Sequence, residues 1–135
     1  MAEKSIKLDI VTPERIVYSQ EADFIVAPGS DGQLGVLPGH AALITSLDVG
    51  ILKIKANDKE EKLAISGGFF EIKENKAVVL AETAERSEDI DITRAIQAKE
   101  RAEQRLATKE ADTDLLRAEA SLKRAMTRLR AVDKL

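Results

Sequence analysis

The sequence predicts an α+β chain: an N-terminal antiparallel β-sandwich or barrel over residues 1–84, then an antiparallel two-helix hairpin over residues 85–135. Two observations predict this division. Up to about Ala81, short apolar runs alternate with turn signals, the texture of an all-β domain of roughly nine or ten short strands. From Asp91 onward glycine and proline are absent, and alanine, arginine and glutamate dominate, as in helices. At 135 residues the chain is long enough for one core and an appendage rather than two full cores.

Ile6, Leu8 and Ile10 alternate with Lys7 and Asp9, the period of a strand with one wet face. Thr12-Pro13-Glu14 reads as a turn, followed by apolar runs at Arg15–Tyr18, Asp23–Val26, Gln33–Leu37, Leu43–Thr45, Ile51–Lys55, Lys62–Ile65, Phe69–Ile72 and Ala77–Leu80. Asn57-Asp58-Lys59 and Lys73-Glu74-Asn75-Lys76 are predicted hairpin loops, with consecutive antiparallel strands as the simplest connection. Asp91 is the predicted N-cap of a first helix reaching about Thr108. Lys109 to Asp112 form the connection, and Asp112 or Asp114 caps the second helix. Leu115, Ala118, Leu122, Ala125, Leu129 and Val132 then recur as a heptad seam, facing Ile92, Ala95, Ala98, Ala102 and Leu106. Alanine lets the helices approach closely but buries little area, so the hairpin contact is expected to be weak enough to open.

Composition narrows the function. With no cysteine there is no disulfide, thiolate nucleophile or zinc-cysteine site, and a reducing, cytosolic address is expected. The start, MAEKSIKLDIV, lacks an apolar signal region and no later run approaches a membrane span, so any membrane association is expected to run through a partner. A net charge of -3 does not suggest nucleic acid. The charge is uneven, however: from Leu116 onward six cations face only Glu119 and Asp133, about +4 net. The last helix is a cationic rod.

Phosphate-binding loops of the Walker and GxGxxG types are absent, and Ser66 has no evident histidine base. The single histidine, His40, lacks the companions of a metal site and reads as a loop or interface residue. Arginine placement is more informative. Arg94, Arg101 and Arg105 stand at i, i+7 and i+11 on the first helix, and Arg117, Arg124 and Arg128 repeat that spacing on the second. A turn near Glu110 and Ala111 places Arg94 beside Arg128, and Arg101 between Ser121 and Arg124. Two readings stand. Either these are solvated faces partly neutralised by Glu100, Glu103 and Glu119, or closing the hairpin crowds like charges and requires an anion. In the second reading a phosphate group suits planar arginine, and the helix start at Asp91 to Arg94 adds a positive dipole end. Glu85 and Asp91 then accept hydrogen bonds from an exocyclic amine or sugar hydroxyl. Mg²⁺ is an admissible companion of such a ligand, with no residue assigned to it.

The chain resembles the epsilon subunit of bacterial F-type ATP synthases over nearly its full length. The resemblance rests on Val11-Thr12-Pro13-Glu14-Arg15, Gly32-Gln33-Leu34-Gly35-Val36-Leu37-Pro38-Gly39-His40-Ala41, Ile65-Ser66-Gly67-Gly68-Phe69 and Leu80-Ala81-Glu82-Thr83-Ala84-Glu85, in that order and spacing. It implies a non-catalytic central-stalk subunit at the cytoplasmic face of the bacterial cell membrane. Its β-domain docks on the gamma subunit and the proton-translocating ring of c subunits, with Asp31, Gly32, Gln33 and His40 at that contact. Gln33 departs from members that carry a carboxylate there. The hairpin, folded down or extended into the alpha/beta catalytic head, inhibits ATP hydrolysis, and Arg117, Lys123 and Arg130 are the implied contacts to an acidic segment of beta. Ile90-Asp91-Ile92-Thr93-Arg94-Ala95 resembles the ATP-binding motif of nucleotide-sensing members. It implies ATP as a regulatory ligand held by Glu85, Asp91, Arg94, Ala95, Arg101, Arg124 and Arg128. The rival classes are a free-standing adaptor with no nucleotide dependence and an anion-binding enzyme, separated by assays for nucleotide binding and ATP turnover.

Overall fold

The computed structural model describes residues 4–108, 110 and 114–135. The β part contains β1 (Ile6–Val11), β2 (Ile16–Ala22), β3 (Phe24–Gly29), β4 (Gly32–Val36), β5 (Leu43–Ala56), β6 (Lys59–Lys73), β7 (Lys76–Ala81) and β8 (Ala84–Arg86). A 3₁₀ turn over Ser87–Asp89 leads to α1 (Ile92–Thr108) and α2 (Leu115–Ala131). The strands hydrogen-bond in the order β2-β1-β7-β6-β5-β3-β4, with β8 beside β6.

Eight strands replace the expected nine or ten. Leu43–Thr45 and Ile51–Lys55 belong to one continuous β5, and Lys62–Ile65 and Phe69–Ile72 to one continuous β6, because the two bend together rather than break. The bend lies where Asp48 and Gly67 drop out of the ladder between Leu47↔Gly68 and Val49↔Ser66. Beyond it β6 changes partners, pairing with β7 through residues 68–73 and with β8 through residues 63–65. This hairpin thereby serves both layers of the sandwich. Its turn is two residues, Asn57 and Asp58, both with positive φ, and Glu74 and Asn75 repeat that geometry between β6 and β7. Among the described residues three pairings depart from simple succession, β3 with β5, β6 with β8 and β1 with β7; the last is parallel, so the first strand closes the layer against the last long one.

Alternation buries Ile6, Leu8 and Ile10 of β1 completely, together with Leu52, Leu63, Phe70, Ile72 and Val79. Each such side chain contributes about 1.5–3 kcal/mol of transfer free energy, so this core carries the fold. The hairpin is held less tightly. Asp91 accepts from the Arg94 amide at 3.0 Å and caps α1, and Asp114 does the same for α2 through Arg117 at 3.0 Å. Lys109, Ala111 and Asp112, expected in the connection, lie outside the described residues.

Ala95 and Ala102 of α1 are buried, as are Ala118, Ala125 and Leu129 of α2. Leu115, expected in the seam, is 40% exposed, whereas Thr127 and Ala131 are buried. The reason is that α2 has a second covered side. It packs on β5 and β6 as well as on α1, and Ala131 clusters with Ala64 and Ile90. Thr127 meets the polar demand of burial by donating to the Lys123 carbonyl at 2.8 Å.

Candidate functional site

A hollow of about 300 Å³ opens where β8, the start of α1 and the end of α2 meet, lined by Glu85, Asp91, Arg94, Ala95, Ala98, Arg101 and Arg128. It continues between the helices into a second, about 150 Å³, lined by Ala98, Arg101, Ala102, Arg105, Ser121, Arg124 and Arg128. The alanine stripe is what makes room: at Ala95, Ala98 and Ala102 the short side chains leave space that the flanking arginines surround. All seven residues expected to hold ATP line these two hollows, six in the first and Arg124 in the second.

The chemistry is graded along the groove. At the β8 end Arg128 Nε donates to Glu85 Oε1 at 2.5 Å, and Asp91 Oδ1 accepts from the Arg94 amide. Each carboxylate retains a second oxygen that can accept from a ligand. Toward the turn the lining is four guanidinium groups and no carboxylate, with Arg124 Nη2 donating to Ser121 Oγ at 3.2 Å. Glu103, one expected neutraliser, pairs with Lys99 at 3.2 Å instead. Among the described residues, Arg94, Arg101, Arg105 and Arg124 have no carboxylate within ion-pair distance. Such an arrangement suits a ligand with hydrogen-bond donors at one end and several negative charges at the other. A larger hollow of about 540 Å³ near the helix tips is balanced by contrast, with Arg105 and Arg117 against Glu110 and Asp114. Among the described residues no cluster of three metal-ligating side chains is present.

The sandwich matches one family model, ATP synthase, Delta/Epsilon chain, beta-sandwich domain, over residues 5–87. The hairpin matches a second, ATP synthase, Delta/Epsilon chain, long alpha-helix domain, over residues 88–133. The chain belongs to the ATP synthase delta/epsilon family. Among relatives named ATP synthase epsilon chain, that of Desulforamulus reducens is 53% identical over 130 residues, spanning 96% of this chain and 98% of its own length. That of Carboxydothermus hydrogenoformans is 60% identical over 107 residues, 79% of each chain. In fold, the chain is similar to one in the Euglena gracilis mitochondrial ATP synthase OSCP/F1/c-ring, with a TM-score of 0.84 at 21% identity, covering 98% of this chain and 84% of that one.

The other residues that the epsilon resemblance singled out are dispersed. Asp31, Gly32 and Gln33 sit at the tight β3–β4 turn, with Gly32 at φ 122 and Gly29 paired to it. His40 lies beyond the opposite end of β4, in a turn where its amide donates to the Leu37 carbonyl at 3.2 Å. Of the three basic residues, Arg117 lines the tip hollow, Lys123 Nζ is 3.0 Å from Asp48 Oδ2 on β5, and Arg130 is in the last turn of α2. The structure thus does not bring them to one place. Sequence reasoning also missed an apolar outer face: Phe69 pairs with Leu80 across β6 and β7, Ile44 lies diagonally on β5, and the three are 57%, 56% and 69% exposed. Its signal is Phe69-Phe70, two consecutive aromatics on a strand, which puts one ring on each face.

Proposed function

We propose that this member of the epsilon family is a non-catalytic central-stalk subunit of an F-type ATP synthase, peripheral to the cytoplasmic face of the membrane. Its sandwich is the anchor and its hairpin a regulatory element that restrains ATP hydrolysis by the catalytic head. Its association with the membrane runs through partners, gamma and the ring of c subunits; among the described residues no helix is long and apolar enough to cross a membrane. The exposed face of Ile44, Phe69 and Leu80 supports such docking, because contiguous apolar strands are otherwise costly to leave in water.

ATP is the proposed regulatory ligand. The observation that carries this is the graded groove: carboxylates Glu85 and Asp91 at one end for the base or ribose, then Arg94, Arg101, Arg124 and Arg128 for the phosphates. Because its walls come from β8, α1 and α2, the groove exists only while the hairpin lies on the sandwich. ATP therefore binds the folded-down state selectively and shifts the population toward it. Opening the hairpin frees the cationic α2, including Lys123, for an acidic surface on the head. Calorimetry with the isolated chain tests the site: ATP binds, Arg94→Ala lowers the affinity, and an unchanged affinity removes Arg94 from the site.

A further inference from the structure

β8 carries the groove's Glu85, yet it is only three residues long and its ladder contacts are limited to Ile65↔Ala84, Ala64↔Glu85 and Leu63↔Arg86. Backbone bonds from the Ser66 amide to the Thr83 carbonyl and from the Glu82 amide to the Gly67 carbonyl anchor the chain just before it, and across so short an edge strand side chains must hold the rest. Strand alternation sends them to opposite sides. Glu85 faces the helices, opposite Ala64 in the small cluster with Ile90 and Ala131, while Ala84 and Arg86 face the sandwich opposite the buried Ile65 and Leu63.

On that inner side Arg86 is enclosed by groups from two other strands. Its Nε is 2.8 Å from Glu61 Oε1 on β6, and its Cζ lies 5.2 Å from the centre of the Tyr18 ring on β2. Tyr18 is 3% exposed, and burial followed by the Glu61 charge pushes its phenol above the ordinary 10.0, so the ring is neutral. The Arg86 Nε is itself buried and its contact with Glu61 is not aligned as a hydrogen bond, so charge and the ring face hold it. We propose that Arg86 is a positioning residue for the nucleotide groove: clamped between Tyr18 and Glu61, it fixes β8 so that Glu85 meets Arg128 and the ligand. This rests on the reading of the groove as an ATP site, and it makes the sandwich strands β2 and β6 determinants of nucleotide affinity.

Calorimetry with ATP on the full chain tests this through Arg86→Ala, Arg86→Lys and Glu61→Gln, with Glu85→Gln as the second site of a double-mutant cycle. Arg86→Ala is expected to weaken ATP about three- to tenfold, Glu61→Gln to act in the same direction, and Arg86→Lys to recover part of the loss. In the Glu85→Gln background the Arg86→Ala effect should vanish, which a general loss of stability would not produce. An unchanged affinity in both Arg86→Ala and Glu61→Gln, or full additivity with Glu85→Gln, overturns the proposal. Hydrogen exchange without nucleotide is the independent arm: the amides of residues 84–86 should exchange faster in Arg86→Ala, and unchanged exchange overturns the clamp. Failure of the unmodified chain to bind ATP overturns the ATP reading of the groove, and the clamp on β8 is then decided by the exchange result alone.

Discussion

Arg128 near the end of α2 donates to Glu85 on β8 at 2.5 Å, joining residues 43 positions apart across the junction between sandwich and hairpin. The two side chains are 30% and 33% exposed, so the bond is part-buried and stronger than a rim contact. It ties the last helix to the short strand that precedes the hairpin, and both partners line the groove.

Glu85→Ala leaves the Arg128 guanidinium unpaired beside the other arginines. The loss should favour hairpin opening by about 1–2 kcal/mol. Proteolysis of the isolated chain, timed at the hairpin arginines, reads this opening: cleavage speeds up in Glu85→Ala, and ATP protects the variant less than the unmodified chain.

Lys123 and Asp48 form a second tie, between α2 and the bend in β5. The Asp48 carboxyl sits below its ordinary 3.8 because Lys123 and then the Val49 amide donate to it, against a small opposing effect of burial. A carboxylate lowered in the folded state contributes stability that is fully present above the ordinary value and is lost as pH falls through the lowered one. The contribution is small, because both side chains are about half exposed and screened by solvent and salt. Asp48→Asn should therefore loosen hairpin docking at pH 7 by less than about 1 kcal/mol. Proteolysis at two salt concentrations checks this, with the difference from the unmodified chain shrinking at high salt.

Gly68 stands at φ +130, and a Cβ there would come within 2.0 Å of the Leu80 carbonyl oxygen. Gly68→Ala combines backbone strain with a clash against rigid backbone and should cost roughly 2–4 kcal/mol of sandwich stability. Urea unfolding measures it. Gly39→Ala is the contrast: φ is +84 but nothing lies within 4 Å, so the smaller strain alone should appear.

Removing residues 116–135 takes away most of α2 and with it Arg124 and Arg128. ATP hydrolysis by the reconstituted complex should rise while assembly, which the proposed function assigns to the sandwich, persists. Failure of the truncated chain to assemble would show that α2 is part of the structural anchor.

What could be read in advance follows from range. The arginine spacing was legible because helical geometry fixes which residues share a side, and an antiparallel turn fixes which pairs meet. Strand positions for Ile6–Ile10 and Ala77–Leu80 were legible from alternation, but their parallel pairing as β1 and β7 was not, since it depends on how the layers close. Ser46 to Gly50 looked like a gap because polar Ser46 and Asp48 interrupt the apolar run; in three dimensions it is a bend. β8 escaped notice because Ala84-Glu85-Arg86 is short and mostly charged, and the clamp on Arg86 draws on residues from two distant strands.

The central claim is that ATP holds the hairpin down on the sandwich. Because the chain has no native cysteine, single cysteines at Asn57 in the β5–β6 turn and at Glu119 on α2 accept a donor and an acceptor dye without background. Single-molecule energy transfer on this pair reports the hairpin position directly. ATP at saturation should enlarge the close-distance population, and Arg94→Ala should require more ATP for the same shift. A distance distribution that does not change at saturating ATP would contradict the account.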